Sequence, residues 1–488
     1  MIRNPGIAVL TALLLAGCAA PADRLTFPQS AVEASSRGLS YDVHHRGRAD
    51  FALITDEHGR LDVLAYDDNG DGKFDRFYRL SDYRDEDVPH LIVLLDSIPY
   101  EPVAWRYLHG EFRYFDPPRK VIPPFPSLTE LCFTKLLGAP PLPGMVDTYF
   151  DADAGANARN LWKRALGGYR QPWERRLHYL ANGFESGFTY LDPRPWFAAE
   201  LARARQALDD SPDRVTLVYF ISASAMLSKY GRMGLDEVLD GVQQLCMQVL
   251  YERRGAVKIT LLADHGHNMM ATTNVALEPW LKKAGFRVSD RLHDDRDAVL
   301  ELLGLVTYAG VHTTRPAAAA RAVCACPQVQ QAAYLEGNRV IIRDARGAAA
   351  IEYRDHKLRY VSLDGDPLDY APVVKSLQAD AQGYADDETW FAATKDHEYP
   401  DAPRRLWDAF HGQVVHPPDV MVVMRDGYCC GDPYIENFIR MASTHGGLNQ
   451  VNSATFVMSM TGRATKPMRT RDVLNAIEPG YEPSVRDR

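Results

Sequence analysis

Four stretches of this chain hold side chains able to do chemistry together. Ile259-Thr-Leu-Leu-Ala-Asp264-His265-Gly266-His267-Asn268 is an apolar run that stops at Asp-His-Gly-His. A hard carboxylate oxygen and an imidazole side by side on a strand end can face one divalent metal. For that pair in isolation, an Asp bonded to a neighbouring turn with His as its partner is the alternative. His90-Leu-Ile-Val-Leu-Leu-Asp96 also ends in an acid. In Pro126-Ser127-Leu128-Thr129 a proline cluster forces a loop, and Ser127 or Thr129 can start the helix expected over 130–137. A hydroxyl there meets free N–H groups and the positive end of the helix dipole. It suits a nucleophile that must bind phosphate, or a plain N-cap. Ser443-Thr444-His445-Gly446-Gly447 adds a late imidazole.

The elements that must position these groups read as α/β. His90–Asp96, Val215–Ile221 and Val257–Ala263 are short apolar runs of the kind buried in parallel sheets. Helices are expected between them, among them an amphipathic one over Leu235–Arg253 and a helical cover over 154–210. Strands alternating with helices predict a doubly wound central sheet with helices on both faces, whose ligands lie beyond the carboxyl ends of the strands. Arg339–Tyr360 alternates like short strands of an inserted lid. Pro418–Met424 reads as a return to the core, and Ala454–Met460 as a last strand. Phe51–Leu80 reads as a small N-terminal β element. Its second turn puts Asp67, Asn69, Asp71, Lys73 and Asp75 at positions 1, 3, 5, 7 and 9 with a glycine at 6, the spacing of a calcium loop. Position 12 is Tyr78 and not Glu, so a plain hairpin is the alternative.

With 488 residues and a 46% hydrophobic share, the chain can bury a large core. A net charge of −9 and the lack of any long Lys/Arg run argue against nucleic-acid binding. Arg3, the apolar Ile7–Leu15 and Leu15-Ala16-Gly17-Cys18 make a signal peptide too short to span a bilayer. Its ending resembles a bacterial lipobox, which implies cleavage before Cys18 and lipidation of that thiol. Ala19 by the same analogy points to the outer membrane, facing the periplasm. Six cysteines remain, and Cys324/Cys326 and Cys429/Cys430 are candidates to join two loops in an oxidising envelope.

A strand ending in Asp96, Pro-Ser-x-Thr at 126–129, Asp264-His265-Gly266 and Thr444-His445-Gly446 follow one another in the order found in the alkaline phosphatase superfamily. The chain resembles that superfamily over most of 89–462, closest to the type I phosphodiesterase/nucleotide pyrophosphatase branch. The resemblance implies one transition metal, Zn or Mn, held by Asp96, Thr129, Asp264 and His265. Thr129, with Ser127 as fallback, would form a phosphothreonine intermediate. A second metal in that family takes Asp and His from an Asp-x-x-x-His motif plus the late His, here His445. Aligning the motif's trailing glycine to Gly231 puts Ser224 and Ser228 in the two ligand positions, a poor set for zinc. Three readings follow. One metal suffices, with His445 and His267 binding phosphate or acting as acid and base. Or His267, or a residue such as His312, rebuilds the second site. Or the chain is a degenerate binding lipoprotein. The expected function is a metal-dependent phosphoric ester hydrolase or phosphoryl-group transferase acting on a phosphorylated small molecule or an envelope glycan or lipid head group. The expected organisation is a signal peptide over 1–18, a tether and β element over 19–88, core over 89–270, insert over 271–410, core over 411–465 and a tail over 466–488.

Overall fold

Six strands make the sheet that carries the site: β1 (His90–Leu95), β2 (Arg119–Ile122), β3 (Val215–Phe220), β4 (Lys258–Ala263), β5 (Thr455–Ser459) and β6 (Met468–Arg469), in the order β3-β1-β4-β5-β2-β6. This computed structural model describes residues 25–486 except 36–37, 147, 152–153, 160–169, 183–184, 186–188, 303 and 433–439. The signal peptide and Cys18 lie outside the described residues. β3, β1 and β4 are parallel, but β5 runs antiparallel to both β4 and β2. The sheet is therefore mixed, not wholly parallel.

Side chains of β1 alternate between two cores, because successive strand residues point to opposite faces. Leu91, Val93 and Leu95 pack with α1 (Tyr100–Leu108), α3 (Pro193–Asp210), α4 (Ser222–Tyr230) and α5 (Arg232–Glu252). Ile92 and Leu94 pack on the other face with α2 (Thr129–Leu136). The helices on both faces are as the alternating pattern implied. The cover over 154–210 is helical only from Pro193; before it stand a hairpin, Thr148–Asp151 with Ala156–Arg159, and a single 3-10 turn.

The stretch expected as an insert is a second sheet of nine strands. Its inner strands are Asp297–Glu301, Tyr308–His312, Val420–Met424, Val329–Glu336, Arg339–Arg343, Ala348–Arg354 and Lys357–Ser362, in that spatial order. Val420–Met424 does not return to the central sheet. It pairs antiparallel between Tyr308–His312 and Val329–Glu336. Nothing in its apolar run distinguishes one buried sheet from another. The second sheet shares the core that holds Ile92 and Leu94, so it is a wall of the same body.

Both ends of the chain are also more structured than expected. Glu33–Ser35 and Gly38–Tyr41 extend the Phe51–Arg79 strands into a five-stranded sheet, so part of the tether is β structure. The tail supplies β6 and the helix Val473–Ile477. In the calcium-type loop, Asp67 is buried and accepts from the amides of Asp71 and Gly72, while Asp71 accepts from the Lys73 amide and Asp75 from the Asp68 amide. The Asn69 side-chain oxygen Oδ1 accepts from the Asp71 amide, and the Arg48 guanidinium donates to the Gly70 backbone carbonyl. The carboxylates thus close the turn through backbone donors. Cys324, Cys326, Cys429 and Cys430 are all buried, and no disulfide joins the two loops that carry them.

Glu478 shows why the last residues belong to the core. It is buried and takes hydrogen bonds from the His90 imidazole and the Arg214 guanidinium. Burial raises its pKa, but these two partners win and hold it at about 2. A carboxyl depressed in the fold stabilises above its unfolded pKa and loses that contribution as pH falls through the folded value. Glu478→Gln is expected to cost about 1–3 kcal/mol near neutral pH. It should also flatten the fall in melting temperature between pH 5 and 2, as read by thermal denaturation across that range.

Candidate active site

The register of the central sheet brings the two acids together. Leu95 pairs with Ala263 in parallel, so the next residues, Asp96 and Asp264, leave the sheet side by side. Ser97 turns in the left-handed region (φ 69°) and points its amide at Asp264 Oδ1, 2.9 Å away. The His265 amide also donates to Oδ1, at 2.8 Å. Asp96 Oδ2 accepts from the Tyr219 hydroxyl at 2.6 Å and Oδ1 from the Ser97 hydroxyl at 2.7 Å. Asp264 Oδ2 is buried and has no hydrogen-bond partner. Gly266 allows the following loop to pass close to the chain before β5, since a Cβ there would lie 2.7 Å from the Val451 carbonyl oxygen.

His265 completes the cluster. Its Nδ1 lies 3.0 Å from the Gly266 carbonyl oxygen, an acceptor only, so the proton sits on Nδ1 and Nε2 carries a lone pair. That lone pair faces Asp264 Oδ2 at 3.3 Å. Burial lowers the His265 pKa, so the ring is neutral and two lone pairs point at each other. Asp96, Asp264 and His265 each offer a ligand atom within 4.8 Å of the others, and all three are buried. An orphaned carboxylate oxygen beside an imidazole lone pair fits a divalent transition metal, whose charge would offset the burial of two acids.

Thr129, the first residue of α2, joins this cluster. Its hydroxyl stands 3.4 Å from Asp96 Oδ1 and 3.3 Å from His265 Nε2, and the residue is only partly buried. Ser127 is enclosed instead. Its hydroxyl accepts from Arg405 at 3.0 Å and lies 3.3 Å from the carbonyl oxygens of Pro124 and Gly447. Thr129, not Ser127, is thus the accessible hydroxyl.

His445 stacks on His265, ring centroids 4.1 Å apart, and its Nδ1 bonds the Ser127 carbonyl at 3.0 Å. The His267 ring lies 5.5 Å from that of His445, is buried, and neither of its nitrogens has a partner. Burial and the neighbouring imidazoles push His445 well below its usual pKa and His267 to about 3. Ser224 is also brought here, 3.2 Å from the Ser97 hydroxyl and 3.4 Å from the Tyr190 hydroxyl, and Ser228 follows one turn later on α4. Three hydroxyls, of Tyr190, Ser224 and Ser97, thus run in a chain to the Asp96 carboxylate. His312 is elsewhere, about 16 Å along its strand from Thr307, which bonds the His445 carbonyl. It does not take part in this cluster.

Sequence reading missed Tyr219, Ser97 and Arg405. Tyr219 lies inside an apolar run and gives no polar signal. Arg405 is fully enclosed, donates to the Leu448 and Pro400 carbonyls as well as to Ser127, and comes from the helix Ala402–Phe410 beside the second sheet.

No family model matches the chain, and no curated protein matches it. Among solved structures it is similar to murine ectonucleotide pyrophosphatase/phosphodiesterase 5, with 10% identity, a TM-score of 0.40 and coverage of 79% of this chain and 92% of that one. An inactive variant of the murine protein in complex with AMP gives 9% and 0.41 over 80% and 94%. The human protein gives 11% and 0.39 over 79% and 92%.

Burial lifts the carboxyls of Asp96 and Asp264 to about 7, the neighbouring acid adding to the rise at Asp96. Below that pH they hold protons which a cation must displace. Metal affinity is therefore expected to fall as pH drops from 8 to 6, by roughly tenfold per unit for each proton displaced. Zinc titrations by calorimetry at the two pH values check this.

Proposed function

We propose that this chain is a metal-dependent phosphoric ester hydrolase, phosphodiesterase-like, or a phosphoryl-group transferase, with Thr129 as nucleophile. The observation that supports it most is the Thr129 hydroxyl, accessible at a helix start and within 3.4 Å of both Asp96 and His265. Asp96, Asp264, His265 and Thr129 are the residues that would hold one Zn or Mn ion. When bound, such an ion lowers the pKa of a neighbouring hydroxyl and neutralises charge on phosphoryl oxygens.

Thr129 Oγ1 attacks phosphorus and the bond from phosphorus to the leaving oxygen breaks. The Thr129 proton passes to Asp96 Oδ1 and on to the leaving oxygen. In the second step, water attacks the phosphothreonine, the bond from phosphorus to Thr129 Oγ1 breaks, and the water proton, taken by His445, is delivered to Oγ1, which restores the Thr129 hydroxyl. His445 suits this because Nδ1 is committed to Ser127 and Nε2 remains free to accept. His267 backs His445 from its buried side. An acceptor alcohol in place of water makes the same site a transferase. The substrate is a phosphorylated small molecule or an envelope glycan or lipid head group. The lipobox-like Leu15–Cys18 supports a lipid anchor at the outer membrane, facing the periplasm. No described helix is long and apolar enough to cross a membrane.

Ser224 and Ser228 favour a second reading, a lipoprotein that binds a phosphorylated ligand at one metal without turnover. Hydrolysis of an aryl phosphodiester separates the two. On the enzyme reading, Thr129→Ala loses roughly 10³-fold or more in kcat, Thr129→Ser keeps part of it, and the acid-quenched wild type carries phosphate on Thr129. Equal inertness of wild type and Thr129→Ala toward diesters, monoesters and phosphonates supports the binding reading. Restoring both ligands, Ser224→Asp with Ser228→His, is expected to add one metal per chain and raise hydrolysis. Metal analysis of that variant reads this directly.

A further inference from the structure

A second place in the molecule carries the same marks as the Asp264–His265 centre. In the second sheet, Glu301 pairs across from Gly310, and Val299 from His312. Tyr308, Gly310 and His312 alternate along one strand and share one face, and Glu301 lies on that face because directly paired residues point the same way. Gly310 leaves the space that the Glu301 carboxylate fills, since a Cβ there would stand 2.6 Å from Glu301 Oε2. The Phe150 ring covers His312 at 4.8 Å between centroids. Asp419 approaches from just before the neighbouring strand Val420–Met424, with Oδ2 taken by the Thr313 amide.

The face is closed and its polar atoms are unsatisfied. Glu301, Tyr308 and His312 are each at least 96% buried. Both carboxylate oxygens of Glu301, the Tyr308 hydroxyl and His312 Nε2 are buried without a hydrogen-bond partner. An enclosed carboxylate with no donor costs several kcal/mol. His312 Nε2 is 3.8 Å from Glu301 Oε1, too far for a hydrogen bond. Two donors that each sit about 2.0–2.2 Å from one cation stand roughly 3–4 Å apart. The corresponding separation at the Asp264–His265 centre is 3.3 Å.

We propose that Glu301 and His312 bind a second divalent transition metal of the zinc class, buried in the second sheet and separate from the Thr129 centre. The carboxylate supplies charge and the imidazole nitrogen a borderline-soft ligand, a set that favours zinc over calcium or magnesium. Its position on the core shared by the two sheets makes it a structural ion that ties Asp297–Glu301 to Tyr308–His312.

The test is a zinc count on desalted protein expressed with added zinc, for wild type, Asp264→Ala, Glu301→Gln and His312→Gln. The expected result is two zinc ions in wild type, one in Asp264→Ala, and one in each of the other two variants. Asp264→Ala without zinc overturns the proposal. So does a folded Glu301→Gln, checked by circular dichroism, that holds as much zinc as wild type, which is the result for a buried ion pair or ordered water. Should Glu301→Gln and His312→Gln fail to fold, Asp264→Ala decides, with zinc-edge X-ray absorption reporting mixed oxygen and nitrogen ligation in the expected case and no zinc in the contrary one. One zinc in wild type, kept in Asp264→Ala and lost in Glu301→Gln, would sink the Thr129 metal centre and leave this inference standing.

Discussion

Two carboxylates leave the same sheet edge at the same level, and the rest of the site answers to that. Asp96 and Asp264 are forced together by the pairing of Leu95 with Ala263. Burying two like charges costs several kcal/mol per ion unless something positive or hydrogen-bonding meets them. The chain supplies the hydrogen bonds: Tyr219 and Ser97 to Asp96, two backbone amides to Asp264. It does not supply the positive charge. The imidazole beside them is neutral and turns a lone pair inward, and Asp264 Oδ2 is left bare. Asp96, Asp264 and His265 could together hold a metal ion.

The loop that carries Ser127 and Thr129 is held from the opposite side. Ser127 bonds Gly446 through its amide, His445 through its carbonyl and Arg405 through its hydroxyl. Arg405 also grips the Leu448 carbonyl, so one buried guanidinium clamps the Thr129 loop to the His445 loop. Asp426 does the same for the other pair of loops, accepting from Asn268, Asn449 and Asn452. Both Arg405 and Asp426 come from the body of the second sheet. That sheet sets the spacing between hydroxyl, acids and imidazoles, which explains why it shares a core with the central sheet and does not hang above it as a lid.

Beside the acids the packing places hydroxyls and no further charge. Ser224 faces the place where an acid was expected, and its hydroxyl belongs to a chain that ends on Asp96. The hydroxyls steady Asp96 without adding charge. His267, with both nitrogens enclosed and unpaired, is the one imidazole of the cluster that this arrangement leaves without a bond.

The sequence by itself determined the parts whose signal is local. Apolar runs ending in Asp96 and Asp264 reveal two buried strands and their carboxyl ends, and the proline loop before Thr129 reveals a helix start, because period and turn chemistry are read over a few residues. The order of these anchors, with His445 last, was enough to nominate the site residues. Tertiary structure alone decided the rest. It enclosed the Ser127 hydroxyl and left that of Thr129 accessible, sent Val420–Met424 to the second sheet, moved His312 away from the centre, and drew the expected tail into the core through Glu478. Each of these depends on which distant surface a segment meets. Strand pairing and burial between residues hundreds of positions apart leave no trace in local pattern, since an apolar run fits either sheet and an arginine reads as surface until a fold encloses it.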